Sequence, residues 1–287
     1  MADTADTAAT AFEGHRQFLI GVAYRMLGSV AEAEDVVQDA YLRWVHVERA
    51  AIDEPRAYLA RVVTRLCLDR LKSAQHRHED YVGTWLPEPF VEDKRATEIA
   101  DDLSVALILT LERLTPSERA AFLLHDVFDM DYGAIAGVLE RSEAACRQLA
   151  SRARDHIRDR DPHARVPRSP EVEARLFAAF GEVLASGNLE AFGQVLAADA
   201  ILYSDGGGKR SAALRPIYGR AKILRFFAAI VRKRPPVSES REVRINGMPG
   251  YVMRGDDGVE TLSIEVVGEH IVAIYAVRNP DKLKHLA

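Results

Sequence analysis

Asp131-Tyr-Gly-Ala-Ile-Ala-Gly-Val-Leu-Glu-Arg-Ser-Glu-Ala-Ala-Cys-Arg-Gln-Leu-Ala-Ser-Arg-Ala-Arg154 carries two helix starts. Asp131 and Ser142 are both N-cap residues, because a short side-chain oxygen accepts a backbone N–H that the first helical turn leaves without a partner. After Asp131, Ile135, Ala136 and Leu139 recur at helical steps and face a core; after Ser142, Cys146, Leu149 and Ala153 do the same. A short helix, a tight turn and a longer arginine-rich helix are the layout of a helix-turn-helix. Arg141 and Ser142 open the second helix, which presents Glu143, Arg147, Ser151, Arg154 and Arg158 along one edge, with Gln148 and Arg152 beside it. That edge suits a major groove flanked by phosphates. Two residues depart from the usual turn: Glu140 stands where glycine is common and Arg141 where an apolar residue is. The spacing alone therefore also fits an ordinary three-helix bundle.

Just upstream, Thr115-Pro116-Ser117-Glu118 joins an N-cap threonine, a proline at the first helical position and a reciprocating glutamate. It starts a helix that carries Phe122, Leu123 and Leu124, and before it Leu103, Ala106, Leu107, Thr110, Leu111 and Leu114 recur at helical spacing. From 79 to 102 the periodicity fails, since Gly83, Pro87 and Pro89 break helix, and the stretch reads as an interdomain linker. Within it stands Trp85-Leu86-Pro87-Glu88-Pro89-Phe90. A solvated linker gains nothing from Trp85, Leu86 and Phe90, so this stretch is expected to dock into a groove elsewhere in the chain.

The first part of the chain reads as helices. Phe18, Val22 and Met26, with Leu19 and Ala23, form a stripe that Gly28 ends. Ser29 and Glu32 have capping-box spacing, after which Val36, Val37, Ala40, Tyr41, Trp44 and Val45 define a buried face, opposite Glu34, Asp35, Gln38 and Asp39. Pro55 opens a third helix, in which Tyr58, Leu59, Val62, Val63, Leu66, Cys67 and Leu71 point inward. Arg61 and Arg65 stand four residues apart on it, with Arg56 and Lys72 near its ends, and it is expected to read a nucleic-acid backbone.

The net charge of −5 argues against a protein that coats nucleic acid, but the charge is sorted along the chain. Residues 55–78 hold six basic residues against Asp69 alone, and residues 141–160 six arginines against Glu143, Asp155 and Asp159. Between them, residues 79–102 carry eight acids against Lys94 and Arg95. Each basic run taken singly is equally a solvated helix face. At 287 residues, 48% hydrophobic and 28% charged, the chain is too long for one ordinary domain and too mixed to be disordered or fibrous. Its start has no signal-peptide pattern, and its most apolar stretch, 105–109, falls far below a membrane span, so a soluble cytoplasmic protein without a membrane partner is expected. Cys67 and Cys146 form no CxxC pair and no metal spacing with histidine, so neither metal nor cofactor is expected.

Together these segments resemble the extracytoplasmic-function (ECF) sigma factors of bacterial RNA polymerase, a branch of the sigma-70 family. Gly28-Ser-Val-Ala-Glu-Ala-Glu-Asp-Val-Val-Gln-Asp-Ala-Tyr-Leu-Arg-Trp44 is similar to the region-2 helix that grips the polymerase clamp, and the stretch from Leu114-Thr-Pro-Ser-Glu-Arg-Ala120 onward to region 4. Residues 141–154, with Trp85-Leu86-Pro87-Glu88-Pro89, Asp205-Gly206-Gly207-Gly208-Lys209 and Asn279-Pro280-Asp281-Lys282-Leu283, resemble the subgroup that carries a SnoaL-like C-terminal extension. The resemblance implies that Asp35, Gln38, Asp39 and Arg43 bind core RNA polymerase. It also implies that Arg56, Arg61, Arg65 and Lys72 open the minus-ten element, with the 47–54 loop beside a flipped base. Arg141, Ser142, Arg147, Gln148, Ser151, Arg152 and Arg154 would serve the minus-thirty-five element, with Arg147, Gln148 and Ser151 reading sequence.

After Pro167 and Pro170 the pattern changes from all-helix to mixed. Helices are expected at 171–185, 188–197 and 219–231, and antiparallel strands at 200–204, 238–245, 250–254, 259–267 and 270–277, with Asp257-Gly258 as a hairpin turn. No spacing pairs His270 or His285 with a carboxylate as acid and base, so catalysis is not expected. The glycine run 206–208 reads as a hairpin loop or, less commonly, a small anion nest.

The expected protein is multidomain: a disordered tail at 1–11, sigma region 2 at 12–80, a linker at 81–102, region 4 at 103–160, a linker at 161–170 and an α+β SnoaL-like curved-sheet cone at 171–287. Its expected function is promoter-specific transcription initiation, with the C-terminal domain regulating it in cis through residues 85–89, 205–209 and 279–283 and without a separate anti-sigma protein. The alternative is a helix-turn-helix regulator fused to a small-molecule-binding or isomerase-type domain whose ligand the residues do not name. A simple repressor has no use for the first helical domain.

Overall fold

Gly28 and Ser29 separate the first two helices. Gly28, at φ 66°, donates to Tyr24 O at 2.7 Å and ends α1 (Ala2–Leu27), while Ser29 Oγ accepts Glu32 N at 3.1 Å and starts α2 (Val30–Val45). The computed structural model describes residues 2–48, 52–79, 81–91, 104–158, 169–231 and 237–286. The chain divides into two units: Met1–Glu79 with Ala96–Pro162, and Asp80–Arg95 with His163–Ala287.

In the first unit, α1, α2 and α3 (Pro55–Glu79) bury Leu19, Val22, Val36, Val37, Leu59 and Val63 completely. Each such side chain contributes about 1.5–3 kcal/mol on leaving water. Two expectations change here. Residues 2–11 are not a disordered tail but the first turns of α1, since their alanines favour helix and Phe12 is buried edge-on against Tyr41. Val45, expected inside, is 38% exposed, because the helix has rotated past the core by its last turn.

The same unit continues with α4 (Val105–Leu111), α5 (Pro116–Phe122), a π-helical turn (Leu123–Val127), α6 (Tyr132–Leu139) and α7 (Glu143–Arg158). Thr115 and Glu118 form the full capping box at the start of α5. Leu124, Ile135, Val138 and Cys146 close one small core, and Ala121, Leu149 and Ala150 another. The two helical halves share the unit: Arg119 donates to Met26 O at 2.5 Å and to Glu112 at 2.8 Å, and Phe18 meets Phe128 edge-on.

The second unit sets α8 (Pro170–Ser186), α9 (Leu189–Val195) and α10 (Arg220–Val231) on a six-stranded sheet of order β2-β1-β6-β5-β4-β3. The strands are β1 (Leu196–Asp205), β2 (Ile217–Tyr218), β3 (Val237–Ile245), β4 (Met248–Gly255), β5 (Gly258–Val267) and β6 (His270–Val277). Phe180, Phe192, Ile223, Leu202, Ile264 and Ile274 join helices and sheet in one core, the α+β arrangement expected of a SnoaL-like domain. The sheet is mixed rather than antiparallel, because the β3–β6 meander returns β6 beside β1 in the same direction. The β4–β5 turn residues are Asp256 and Asp257, with Gly258 (φ 94°) opening β5, one residue before the expected pair. No helix among the described residues is long and apolar enough to cross a membrane.

Candidate nucleic-acid interface and linker clamp

The turn between α6 and α7 uses Glu140 itself in the left-handed conformation (φ 55°, ψ 46°) that glycine usually supplies. A non-glycine residue there costs about 1–2 kcal/mol, and Arg65 of α3 meets that cost. Its guanidinium lies over the last carbonyls of α6, donating to Gly137 O at 2.7 Å, Val138 O at 3.2 Å and Glu140 at 3.1 Å. Those carbonyls carry the negative end of the helix dipole. A residue expected on minus-ten DNA is thus held by the helix-turn-helix.

Arg141 in the turn and Arg147, Gln148, Ser151 and Arg152 on α7 are exposed, as the spacing requires of a groove-facing edge. Ser142 instead caps its own helix, accepting Ala145 N at 3.2 Å. Arg147 pairs with Glu143 one turn back, and Arg152 with Glu118. Arg154 differs: it is half-buried, bonds Asp126 at 2.6 and 3.0 Å and Tyr132 Oη at 2.9 Å, and these bonds hold its guanidinium above its usual range. It braces the helix-turn-helix rather than standing on the open edge.

On α3, Arg56 lies over the Phe18 ring at 4.2 Å, Lys72 pairs with Asp69, and Arg61 is half-buried. On α2, Asp35, Gln38, Asp39 and Arg43 form an exposed polar stripe. Arg70 of α3 reaches across to it, 3.3 Å from Asp39 and 3.7 Å from Asp35. Part of the 47–54 loop lies outside the described residues.

In the second unit the three motifs read from sequence meet at one carboxylate. Asp205, fully buried, accepts from Tyr81 Oη (2.6 Å), Leu86 N (2.9 Å), Lys282 Nζ (2.8 Å) and Gly207 N (3.0 Å). Lys282 Nζ also donates to Leu86 O and sits over the rings of Trp85 and Tyr81, at 4.4 and 4.7 Å. Burial, then the hydrogen bond to Asp205, pushes the Tyr81 hydroxyl well above its usual range. Leu86, Pro87 and Pro89 are buried and Trp85 and Glu88 half-buried, so the segment is docked rather than solvated.

The neighbouring loops explain their own residue types. A Cβ on Gly206 would strike Arg210 O, and one on Gly207 (φ 58°) the Asn279 carboxamide, so the glycines allow the loop against the tail. Within the loop, Gly207 N donates to the chain's own Asp205 carboxylate, while Lys209 N and Arg210 N donate to Gly206 O. Asn279 donates to Tyr81 Oη and caps the Pro280–Lys282 turn, Lys209 pairs with Asp281 at 2.5 Å, and Leu283 is buried. Tyr81, Asn246 and His285 belong to this clamp without having been singled out. Asn246 N donates to Phe90 O at 2.9 Å and its side-chain Oδ1 accepts Phe90 N at 3.2 Å, while His285 meets Pro89 O at 2.9 Å. The Asn246-Gly247 hairpin dipeptide was a readable signal for the first; Tyr81 and His285 had none.

Residues 11–77 match the family Sigma-70 region 2, and residues 104–157 match Sigma-70, region 4. The ECF RNA polymerase sigma factor SigJ of Mycobacterium tuberculosis is 40% identical over 94% of this chain and 91% of its own length. The chain belongs to the ECF sigma factors. The probable ECF RNA polymerase sigma factor SigI of the same species is 36% identical over 67% of each protein. The crystal structure of the M. tuberculosis extracytoplasmic function sigma factor SigJ superposes with a TM-score of 0.78 at 38% identity, covering 96% of this chain and 98% of that one. The ECF sigma factor architecture here is two helical sigma domains followed by an α+β domain, and the family acts by binding polymerase and promoter DNA rather than by catalysis.

Proposed function

We propose that this ECF sigma factor, which directs RNA polymerase to specific promoters, is restrained in cis by its C-terminal domain. The observation that carries the reading is Asp205: the linker between the sigma domains is bonded through Tyr81 and Leu86 to a buried carboxylate of the C-terminal domain. Fully extended, residues 80–103 reach roughly 80 Å, of which 81–91, roughly 35 Å at most, is docked. The centres of the minus-ten and minus-thirty-five elements lie about 85 Å apart at ~3.4 Å per base pair. Docking fixes the span and direction of 81–91, so the linker cannot adjust its full length to that separation. The bonds from Arg65 to α6 support the same reading, since α3 and α6 cannot stay joined while α3 serves one element and α7 the other.

In this reading regions 2 and 4 occupy 12–80 and 103–160 and the regulatory domain 171–287. Asp35, Gln38, Asp39 and Arg43 meet polymerase once Arg70 releases Asp35 and Asp39, and Arg147, Gln148 and Ser151 read the upstream element. Arg56, Arg61, Arg65 and Lys72 act at the minus-ten element, and Arg141 and Arg152 flank the upstream phosphates. The protein works in the cytoplasm, a separate anti-sigma protein is not required, and the C-terminal domain is a regulator rather than an enzyme. Run-off transcription with core polymerase tests this: removal of residues from Asn279 onward, and Trp85→Ala, should raise promoter output. Identical output from full-length protein and both variants would make the C-terminal domain a passenger and favour the fused small-molecule domain.

A further inference from the structure

The second unit holds a cavity of about 880 Å3, walled by α8, α10 and strands β1, β4, β5 and β6. That is the size of a drug-sized ligand site, ~300–1,000 Å3. Its floor is apolar, with Leu202, Phe227, Met253 and Leu262 on it. An open pocket of this size is filled by water, and an apolar occupant would remove its apolar wall from that water.

Charge is confined to one end, where Arg210, Arg278, Asp257 and Glu260 line the wall. Glu260 holds Arg278 at 3.0 Å, and Val259 O accepts from Arg210 at 2.7 Å. Both guanidinium groups then face the same second carboxylate, Asp257, at longer range: 3.3 Å from Arg278 and 3.8 Å from Arg210. The arginine side chains are 22% and 13% exposed, whereas Asp257 is 50% exposed on the tip of the β4–β5 hairpin. Burial, then the charge of Arg278, pulls the Arg210 guanidinium below its usual range, as expected where cations crowd with a loose counter-charge.

We propose that this cavity binds an amphipathic carboxylate, its apolar body on the floor between α10 and the sheet and its carboxylate replacing Asp257 between Arg210 and Arg278. A planar guanidinium pair is suited to one shared carboxylate, and a ligand inside the cavity offers it from the buried side. The site adjoins the clamp along the backbone: Arg278 N and Asn279 N both donate to Asp205 O, at 2.7 and 3.0 Å, and Arg210 N donates to Gly206 O at 3.1 Å. Resting on the cis-restraint reading, the ligand then biases the Asp205 cluster toward one of two states by moving the residues on either side of it.

The test uses the full-length protein and calorimetric titration with decanoate and 2-naphthoate, with decanol as the uncharged control. Both the decanoate preference over decanol and its loss in Arg210→Met should be about tenfold, the size of one charge-assisted hydrogen bond. Asp257→Asn, on an exposed turn that leaves the core untouched, should tighten carboxylate binding. Failure of both carboxylates to bind, equal binding of decanoate and decanol, or no change in Asp257→Asn overturns the site. Hydrogen exchange of the 81–91 segment should change on decanoate binding. An unchanged exchange rate with intact binding removes the link to the clamp. Loss of all binding while Trp85→Ala still alters transcription removes the ligand and leaves the cis restraint standing.

Discussion

Two ion pairs of nearly equal length divide the molecule's work. Arg147 and Glu143 on α7 lie 2.9 Å apart with side chains 59% and 51% exposed; Lys282 and Asp205 lie 2.8 Å apart at 10% and 0%. In water the first pair is worth about 0–1 kcal/mol, so Arg147 can exchange Glu143 for another partner at little cost. The second has left water, and its charges are tolerated only because Tyr81, Leu86 and Gly207 supply further hydrogen bonds. On the open edge of α7, Arg147 therefore keeps an exchangeable partner, while the C-terminal domain uses its buried cation to hold the chain's own linker. Distance does not distinguish the two pairs; desolvation does.

The largest expected effect breaks the buried member. Lys282→Met leaves Asp205 charged and without its cation, and should cost about 3–5 kcal/mol in urea unfolding of the C-terminal unit. Asp205→Asn combined with Lys282→Met should recover most of that loss. Full stability of Lys282→Met alone would place the pair with the weak surface pairs.

The second effect divides α7 itself. Arg154, bonded to Asp126 and Tyr132, should behave like the buried region: Arg154→Ala should lose about 1.5–3 kcal/mol of stability. Arg147→Ala should leave stability within ~0.5 kcal/mol and lose about 1–3 kcal/mol of discrimination between cognate and scrambled upstream elements, read by filter binding. A stable Arg154→Ala with the discrimination defect would return that residue to the DNA-facing edge.

The same contrast explains what the sequence made legible. Thr115 to Glu118, Ser29 and the apolar periodicities are local signals, and the helices they mark stand where the pattern puts them. The docking of Trp85 and Leu86 followed from their being too apolar for a solvated linker. What stayed hidden were partnerships that span the chain: Tyr81 and Asn279 are 198 positions apart, and Arg65 and Gly137 are 72. Spacing placed Arg65 and Arg154 on basic faces, and nothing local shows that each has a protein partner. The parallel β1–β6 pairing was hidden likewise, since strand alternation carries no direction.

The smallest effect sharpens the comparison through pH. Because the folded Tyr81 hydroxyl is pushed up, the unfolded chain loses this proton first, near pH 10. The contribution is whole below about pH 10 and is lost as pH rises past it. Urea midpoints measured from about pH 8 to about pH 11 should fall at the alkaline end, and less steeply in Tyr81→Phe. Equal slopes would mean that Tyr81 does not share the protection of the cluster.

The most direct test of the cis restraint is the distance between spin labels on the exposed faces of α3 and α7, measured in the full-length protein and in the Asp205→Asn, Lys282→Met pair. The restraint predicts one short distance in the parent chain and an added, longer and broader population in the variant, with promoter output rising alongside it. An unchanged distance distribution in a variant whose 81–91 segment has become exchange-labile would contradict it, because the linker would then be free without the sigma domains opening.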